Sequence, residues 1–245
     1  GRWDEWRTRG DNFSNGAMPV ENVYPTRSVG AFSPKVAAVY RHDAALTLRT
    51  SCGRSFRAPT HQDLYTTSTS RGRTTSGDPD LQPEKGSTWE LGGDWRPQEA
   101  HRLGATLYST ELHDLIYLQQ LSATQSLRIN AGRARVNGIE LVLESRLNGW
   151  LTLDANYARI DTRMLENAAD PASVGKRLTD VPGLIAGLAL KVRHSAWSGR
   201  LDARHTGHVF WTAQNTDVVE GVPGSYDAHT QVDAIVGYDL SKHLH

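Results

Sequence analysis

Several features that would narrow the class of this chain at once are missing from it. One cysteine, Cys52, stands among 245 residues, which excludes an internal disulfide framework and a cysteine-rich metal site. No apolar run reaches the roughly 18 residues of a membrane-crossing helix. Lys+Arg and Asp+Glu are 27 each, so no whole-chain field exists to draw nucleic acid or an acidic partner. No initiator methionine, charged leader or apolar leader core opens the chain. It starts at Gly1-Arg2-Trp3 inside what already reads as a strand and stops at His245 just past a turn signal, so both ends are expected to be cuts within a longer protein. A mean hydropathy of −0.51 resembles that of a soluble protein. It does not exclude a membrane-spanning barrel, in which lipid-facing and lumen-facing residues alternate and average out.

Alternation is what the chain has. From Arg135 to Ile160, Ile139, Leu141 and Leu143 share one face of a strand, opposite Gly138, Glu140, Val142 and Glu144. After a turn at Leu147-Asn148-Gly149 the pattern resumes, with Leu151, Leu153, Ala155 and Tyr157 opposite Thr152, Asp154 and Asn156. An Asn-Gly turn between two such runs signals a hairpin. Each arm is as long as the roughly 9–11 residues of a tilted, lipid-spanning strand, where a soluble strand has about five or six. Short polar turns recur at 41–43, 96–99, 147–149, 193–195 and 240–242, roughly 50 residues apart, a two-strand repeat unit. Longer connections rich in Gly, Ser, Thr, Asp and Asn are expected over 10–27, 58–85, 118–127, 161–176 and 212–226. Short turns at one end and long loops at the other are the build of an outer-membrane barrel, with the turns periplasmic. Leu151 and Leu153 then point to lipid and Asp154 and Asn156 inward. Arg200, Asp202 and Arg204 share one face and must line a wet lumen, since a charge facing the bilayer midplane costs about 2–4 kcal/mol. Tyr40, Trp95, Trp150 and Trp197 beside the turns, and Tyr117, Phe210, Trp211 and Tyr226 near the loops, suit two interfacial girdles. A soluble sandwich or propeller, with shorter strands and core aromatics, is the competing architecture.

At Gly53-Arg54-Ser55-Phe56-Arg57-Ala58-Pro59-Thr60 the chain resembles the phenylalanine-arginine-alanine-proline box of TonB-dependent outer-membrane receptors. The resemblance continues through Gln62-Asp63-Leu64-Tyr65, then Gly77-Asp78-Pro79-Asp80-Leu81-Gln82-Pro83-Glu84-Lys85 and the strand Trp89-Glu90-Leu91-Gly92. Asn130-Ala131-Gly132-Arg133-Ala134-Arg135-Val136-Asn137-Gly138-Ile139-Glu140 follows, then Gly175-Lys176-Arg177-Leu178 with Val181-Pro182, all in family order. The resemblance implies an all-β, antiparallel transmembrane β-barrel meander, with residues 1–245 supplying about ten strands of a barrel of about 22. The plug domain, the TonB-contacting box and the final strands are expected outside these residues. Implied too are active uptake of a ferric siderophore, contact with the TonB complex through the missing plug region, a setting of outer-membrane lipid and lipopolysaccharide, and no enzymatic activity. Pro59 and Pro79 mark strand-to-loop transitions, and Gly53, Gly132 and Gly138 are expected at close approaches or bulges near the rim.

The residues that carry chemistry are read against this setting. Gly53-Arg54-Ser55-Phe56-Arg57 lacks the second glycine and the strand–turn–helix context of a nucleophile elbow. His205 and His208, three apart on a strand, point to opposite faces and cannot chelate one metal ion without a bulge. Asn12-Phe13-Ser14 is a glycosylation sequon in form only. In the 58–85 loop, His61, Tyr65, Arg71 and Arg73 precede any acid after Asp63 until Asp78, and their guanidinium groups and rings suit an anionic ferric chelate. The plainer reading has Arg71 and Arg73 solvating a loop or pairing with lipopolysaccharide phosphates. Arg163, Phe210, Trp211 and Tyr226 are candidates on other loops. Haem is the specific alternative cargo: haem receptors of the family place an axial histidine between two boxes. Here the second box reads Asp78-Pro79-Asp80-Leu81 and the histidine between them is His61. A passive porin and a soluble all-β binding protein remain open as other classes.

Overall fold

The computed structural model describes residues 1–13, 21–122, 124–219 and 222–240. Ser14 of the sequon, 14–20 of the first expected loop, Ala123, 220–221 and the Ser241-Lys242 turn residues lie outside the described residues. The chain runs as β1 (Arg2–Phe13), β2 (Glu21–Ser33), β3 (Lys35–Arg41), β4 (Leu46–Arg57), helix α1 (His61–Tyr65), β5 (Thr67–Ser70) and β6 (Arg73–Ser76). It continues as β7 (Glu84–Gln98), β8 (His101–Gln120), β9 (Gln125–Arg146), β10 (Leu151–Asn167), β11 (Leu184–His194) and β12 (Trp197–Thr206). Four short pieces follow, β13 (Val209–Phe210), β14 (Val218–Val219), β15 (Val222–Pro223) and β16 (Ser225–Tyr226), before β17 (His229–Tyr238).

The wall is an antiparallel meander in the order β17-β12-β11-β10-β9-β8-β7-β4-β3, an open part of a barrel. β1 and β2 form a hairpin that joins it through Pro34, so β2 and β3 make one crossing interrupted at a residue that cannot donate to a ladder. The expected number of strands and their antiparallel order are therefore present. Their lengths exceed the expectation: β7, β8, β9 and β10 have 15, 20, 22 and 17 residues.

The extra length replaces much of the expected loop. β8 reaches Gln120 and β9 starts at Gln125, so six of the ten residues 118–127 are strand, and β10 runs on to Asn167. Residues 10–13 and 21–27 are likewise paired strand. Beyond the bilayer neither face of a strand needs to be apolar, so the period-2 signal vanishes while the hydrogen-bonded ladder continues.

Within the bilayer the two faces separate by parity. On one face Leu91, Leu107 and Ile139 stand in one register row, Trp95, Leu103 and Leu143 in another, and Leu153, Leu190, Leu201 and Ala234 in a third. Many of these side chains are exposed in the isolated chain, Leu107 and Leu201 among them, as is Leu188 on the same face beside Ala155, as a lipid-facing band requires. The opposite face lines an open trough of about 1400 Å³ that holds Asp154, Asn156, Lys191, Arg200, Asp202 and Arg204. Its charges are paired along the wall: Arg49 and Arg102 with Asp94, Arg102 with Glu144, Lys191 with Asp154, and Arg200 with Asp202. At the short-turn end Trp197 packs against Tyr238 with tilted rings at 4.7 Å, and Trp150 meets His194 edge-on at 6.3 Å.

Two local expectations change in mechanism. The Leu147-Asn148-Gly149 turn is held by Asn148, whose Oδ1 accepts from Trp150 N at 3.0 Å and Leu151 N at 2.9 Å, and Gly149 is not left-handed. Gly132 pairs with Leu115 at the register shift between Leu115 and Ile116, whereas Gly138 lies in unbroken register. They lie under Tyr117 and Tyr108, whose rings occupy the space of the missing side chains, while the wall bulges between Leu112 and Leu115 and between Met164 and Glu166.

Candidate ligand-binding site

At the loop end, segment 58–85 folds onto the trough side of the wall. Thr60 caps α1 reciprocally: its hydroxyl oxygen accepts from Asp63 N at 3.2 Å, and Asp63 Oδ2 accepts from Thr60 N at 2.9 Å. The helix has barely one turn, and packing rather than propensity holds it. Leu64, Tyr65 and Leu81 are buried together, flanked by Trp6, Tyr24 and Ile116. Tyr65 lies 4.8 Å from Tyr24 and over Gly10, where a Cβ would approach its ring to 2.7 Å.

Polar rivets surround this small core. Arg27 on β2 donates to Pro79 O at 2.6 Å and Leu81 O at 2.8 Å, gripping the second box from 52 and 54 residues away. Arg57 forks onto Glu84 with two 2.6 Å bonds, and Glu84 also accepts from Ile116 N at 2.9 Å. Asn130 on β9 accepts from Gln82 N at 2.7 Å and donates to Gln82 O at 2.9 Å and Asp114 O at 2.7 Å. Arg128 reaches Asp63 at 3.0 Å. Burial acts to raise the Asp63 carboxyl, but the hydrogen bonds from Thr60 and the charges of Arg128 and Arg57 outweigh it and hold it below the usual carboxylate range.

The sequence-derived candidates divide into three places. His61 is exposed on this platform, its ring 5.5 Å from Tyr65, whereas Tyr65 itself is buried beneath it. Arg71 and Arg73 are exposed at the tip of the β5–β6 hairpin, where Arg71 (φ 50°) and Gly72 (φ 76°) make the tight turn and β6 pairs in parallel with the start of β9. Phe210, Trp211 and Tyr226 form a second cluster on the β13–β16 ribbon. Trp211 and Tyr226 are 5.4 Å apart, and Phe210 meets His208 edge-on at 4.5 Å. Asn215 ties that cluster to the 168–183 loop, accepting from Arg177 N at 2.6 Å, and Asp180 N donates to Phe210 O at 2.8 Å. Arg163 joins none of these three. It lies on the outward parity of β10, opposite Arg135, while the buried Thr162 and Met164 on either side face inward under 171–183. His205 bonds Thr230 Oγ1 at 2.9 Å, and His208 stands 3.3 Å from Asp217, so the two histidines have separate partners.

A family model described as TonB dependent receptor-like, beta-barrel matches residues 1–245. The chain belongs to the TonB-dependent receptors. These are outer-membrane barrels, and the band and trough are their lipid and lumen faces. The probable TonB-dependent receptor BfrD of Bordetella pertussis is 25% identical over 259 residues, covering 99% of this chain and 32% of that protein. The ferrioxamine B receptor of Salmonella typhimurium is also 25% identical, over 98% of this chain and 32% of its own length. Among solved structures, the ferric-catecholate import receptor Fiu of E. coli K12 superposes with a TM-score of 0.74 at 19% identity, over 98% of this chain and 35% of that one. The chain thus spans about a third of the length of these receptors. Within this TonB-dependent receptor barrel the two family-like boxes are structural: they build the platform. Sequence reasoning missed Arg27, Arg128 and Asn130 as its rivets. Only the Thr60-x-x-Asp63 capping spacing was readable in advance.

Proposed function

We propose that the complete receptor takes up a ferric siderophore by TonB-dependent active transport, with this wall supplying part of the chelate site at its loop end. The observation that carries the reading is the set of cations and rings held on braced supports at the loop end of the wall. Arg71 and Arg73 sit at a hairpin tip anchored to β9, His61 on the platform, and Phe210, Trp211 and Tyr226 on the tied ribbon. Guanidinium groups attract an anionic chelate, and rings cover its apolar parts with little entropy loss because their supports are already ordered. The plug and its contact with TonB belong to the rest of the receptor in this reading.

The test is uptake of radiolabelled iron by iron-starved cells carrying the complete receptor, offered as ferrioxamine B, as a ferric catecholate and as haem. Saturable siderophore uptake that needs TonB and falls about tenfold or more in an Arg71→Ala/Arg73→Ala variant is expected. Haem uptake with a Soret shift lost in His61→Ala would replace the siderophore by haem. TonB-independent, unsaturable passage would make the barrel a passive pore and overturn the proposal.

A further inference from the structure

His208 takes no part in the proposed uptake, yet three segments of the second ring cluster meet at it. It lies between β12 and β13, and the two acids that face it come from later in the same excursion: Asp217 from just before β14, and Asp227 from the link between β16 and β17. His208 Nε2 stands 3.3 Å from Asp217 Oδ1, and its Nδ1 stands 4.0 Å from Asp227 Oδ1. Ser225 Oγ donates to the same Asp217 oxygen at 3.0 Å and steadies it. The imidazole meets Phe210, which precedes Trp211, and Asp227 follows Tyr226, so its contacts flank both exposed rings of the cluster. Nε2 is wholly buried and has no hydrogen-bond partner among the described residues.

A neutral imidazole is poorly served in this place, because a buried nitrogen without a hydrogen bond is costly. An imidazolium instead attracts both carboxylates, since Coulomb attraction depends on distance more than on hydrogen-bond angle. The other charged groups around it are already directed elsewhere. On the 168–183 segment, Asp180 forms no ion pair with His208 among the described residues, and Arg177 rests its guanidinium on Gly183. At the start of β17, His229 turns Nδ1 to Asp227 O at 3.5 Å. The ladders that the contacts of His208 join are short, with two residue pairs each in β13–β16 and β14–β15.

We propose that His208 is a proton-operated latch on the ring cluster. Charged, it draws Asp217 and Asp227 together and fixes the ribbon that carries Trp211 and Tyr226; neutral, it lets the ribbon loosen. Histidine is the side chain that changes charge between about pH 5 and 8, a range in which carboxylates stay ionised. The latch therefore closes in acid and opens in mild alkali. Both carboxylates are open to water, so each contact shifts the closed state by only about twofold, and the two together by about fivefold. Ordered rings cover a ligand at lower entropic cost than mobile ones, so the cluster grips most firmly in acid. That last consequence rests on the proposed siderophore uptake, whereas the latch itself does not.

The test is hydrogen exchange read by mass spectrometry on the complete receptor in neutral detergent without cargo, at about pH 5.5 and about pH 8, with each rate divided by the intrinsic exchange rate at that pH. The reporters are the Trp211 amide, bonded to Gly224 O at 3.0 Å, and the Gly224 amide, bonded to Asp217 O at 2.7 Å. In the wild type their protection should be about fivefold higher at the lower pH, with the β10–β11 amides unchanged. His208→Gln should abolish that difference, and Asp217→Asn and Asp227→Asn should each reduce it to about twofold. If His208→Gln does not assemble, the Asp217→Asn/Asp227→Asn double variant, expected to show no difference, decides. Protection independent of pH in the wild type overturns the latch, as does a pH difference that survives in His208→Gln or in the double variant. No cargo is present, so a failed latch leaves the proposed uptake standing, and failed uptake leaves the latch standing.

Discussion

Replacing Arg27 by alanine should loosen the 58–85 platform without disturbing the wall. One guanidinium on β2 holds Pro79 O at 2.6 Å and Leu81 O at 2.8 Å, with Asp80 O at the limit of bonding, 3.3 Å. A hydrogen bond with a charged donor contributes about 1.5–3 kcal/mol. The partial exposure of Arg27 and access of water to the freed carbonyls reduce the two short bonds together to about 2–3 kcal/mol. Opening of the segment then becomes about 30- to 150-fold more frequent. The assay is hydrogen exchange read by mass spectrometry on the complete receptor in detergent. The amides to follow are those the platform protects: Leu64 bonded to Thr60 O, Gly77 to Thr66 O and Asp78 to Asp63 O. Their exchange should accelerate by that factor while the β9–β10 amides stay unchanged, and Arg27→Lys should restore only part of the protection, since an ammonium cannot fork onto two carbonyls as well. Acceleration below about threefold, or equal acceleration across the wall, would refute the assignment of Arg27 as the latch.

Two further outcomes follow from the same structure. Because Asp63 is held below the usual carboxylate range, its contribution is fully present above the unfolded-state pKa of about 3.9 and is lost as pH falls through the lower folded value. Acidification below pH about 4 should therefore loosen the platform in the wild type, while Asp63→Asn should be looser at neutral pH and insensitive to that acidification, as exchange of the same amides would report. On the wall, Leu188→Arg places a charge on the lipid face and should destabilise the barrel by about 2–4 kcal/mol in urea refolding into bilayers, whereas Asn156→Arg, in the wet trough, should stay within about 0.5 kcal/mol.

Period-2 alternation marked the chain as long β-strands, because a strand with one apolar and one wet face has no freedom in where its apolar residues fall. Ile139-Leu141-Leu143 against Glu140-Glu144 fits such a wall while leaving a soluble sandwich open, and the alternation of short turns with long connections favoured the membrane barrel and set its orientation. The sequence also marked the two boxes, though as recognition motifs rather than as the braces they form. Tertiary structure decided the rest. Arg27 and Leu81 are 54 residues apart, and no local pattern links a strand cation to a distant carbonyl. Tyr65 and His61 look alike as aromatic loop residues, yet packing over Gly10 buries the first and exposes the second. Arg163 reads as a loop cation until the β9–β10 ladder is seen to continue past the bilayer, which turns it to the membrane side beside Arg135. Above the apolar band both faces are polar, so parity leaves no trace in composition, and only the register of the folded wall assigns each charge to ligand or lipid.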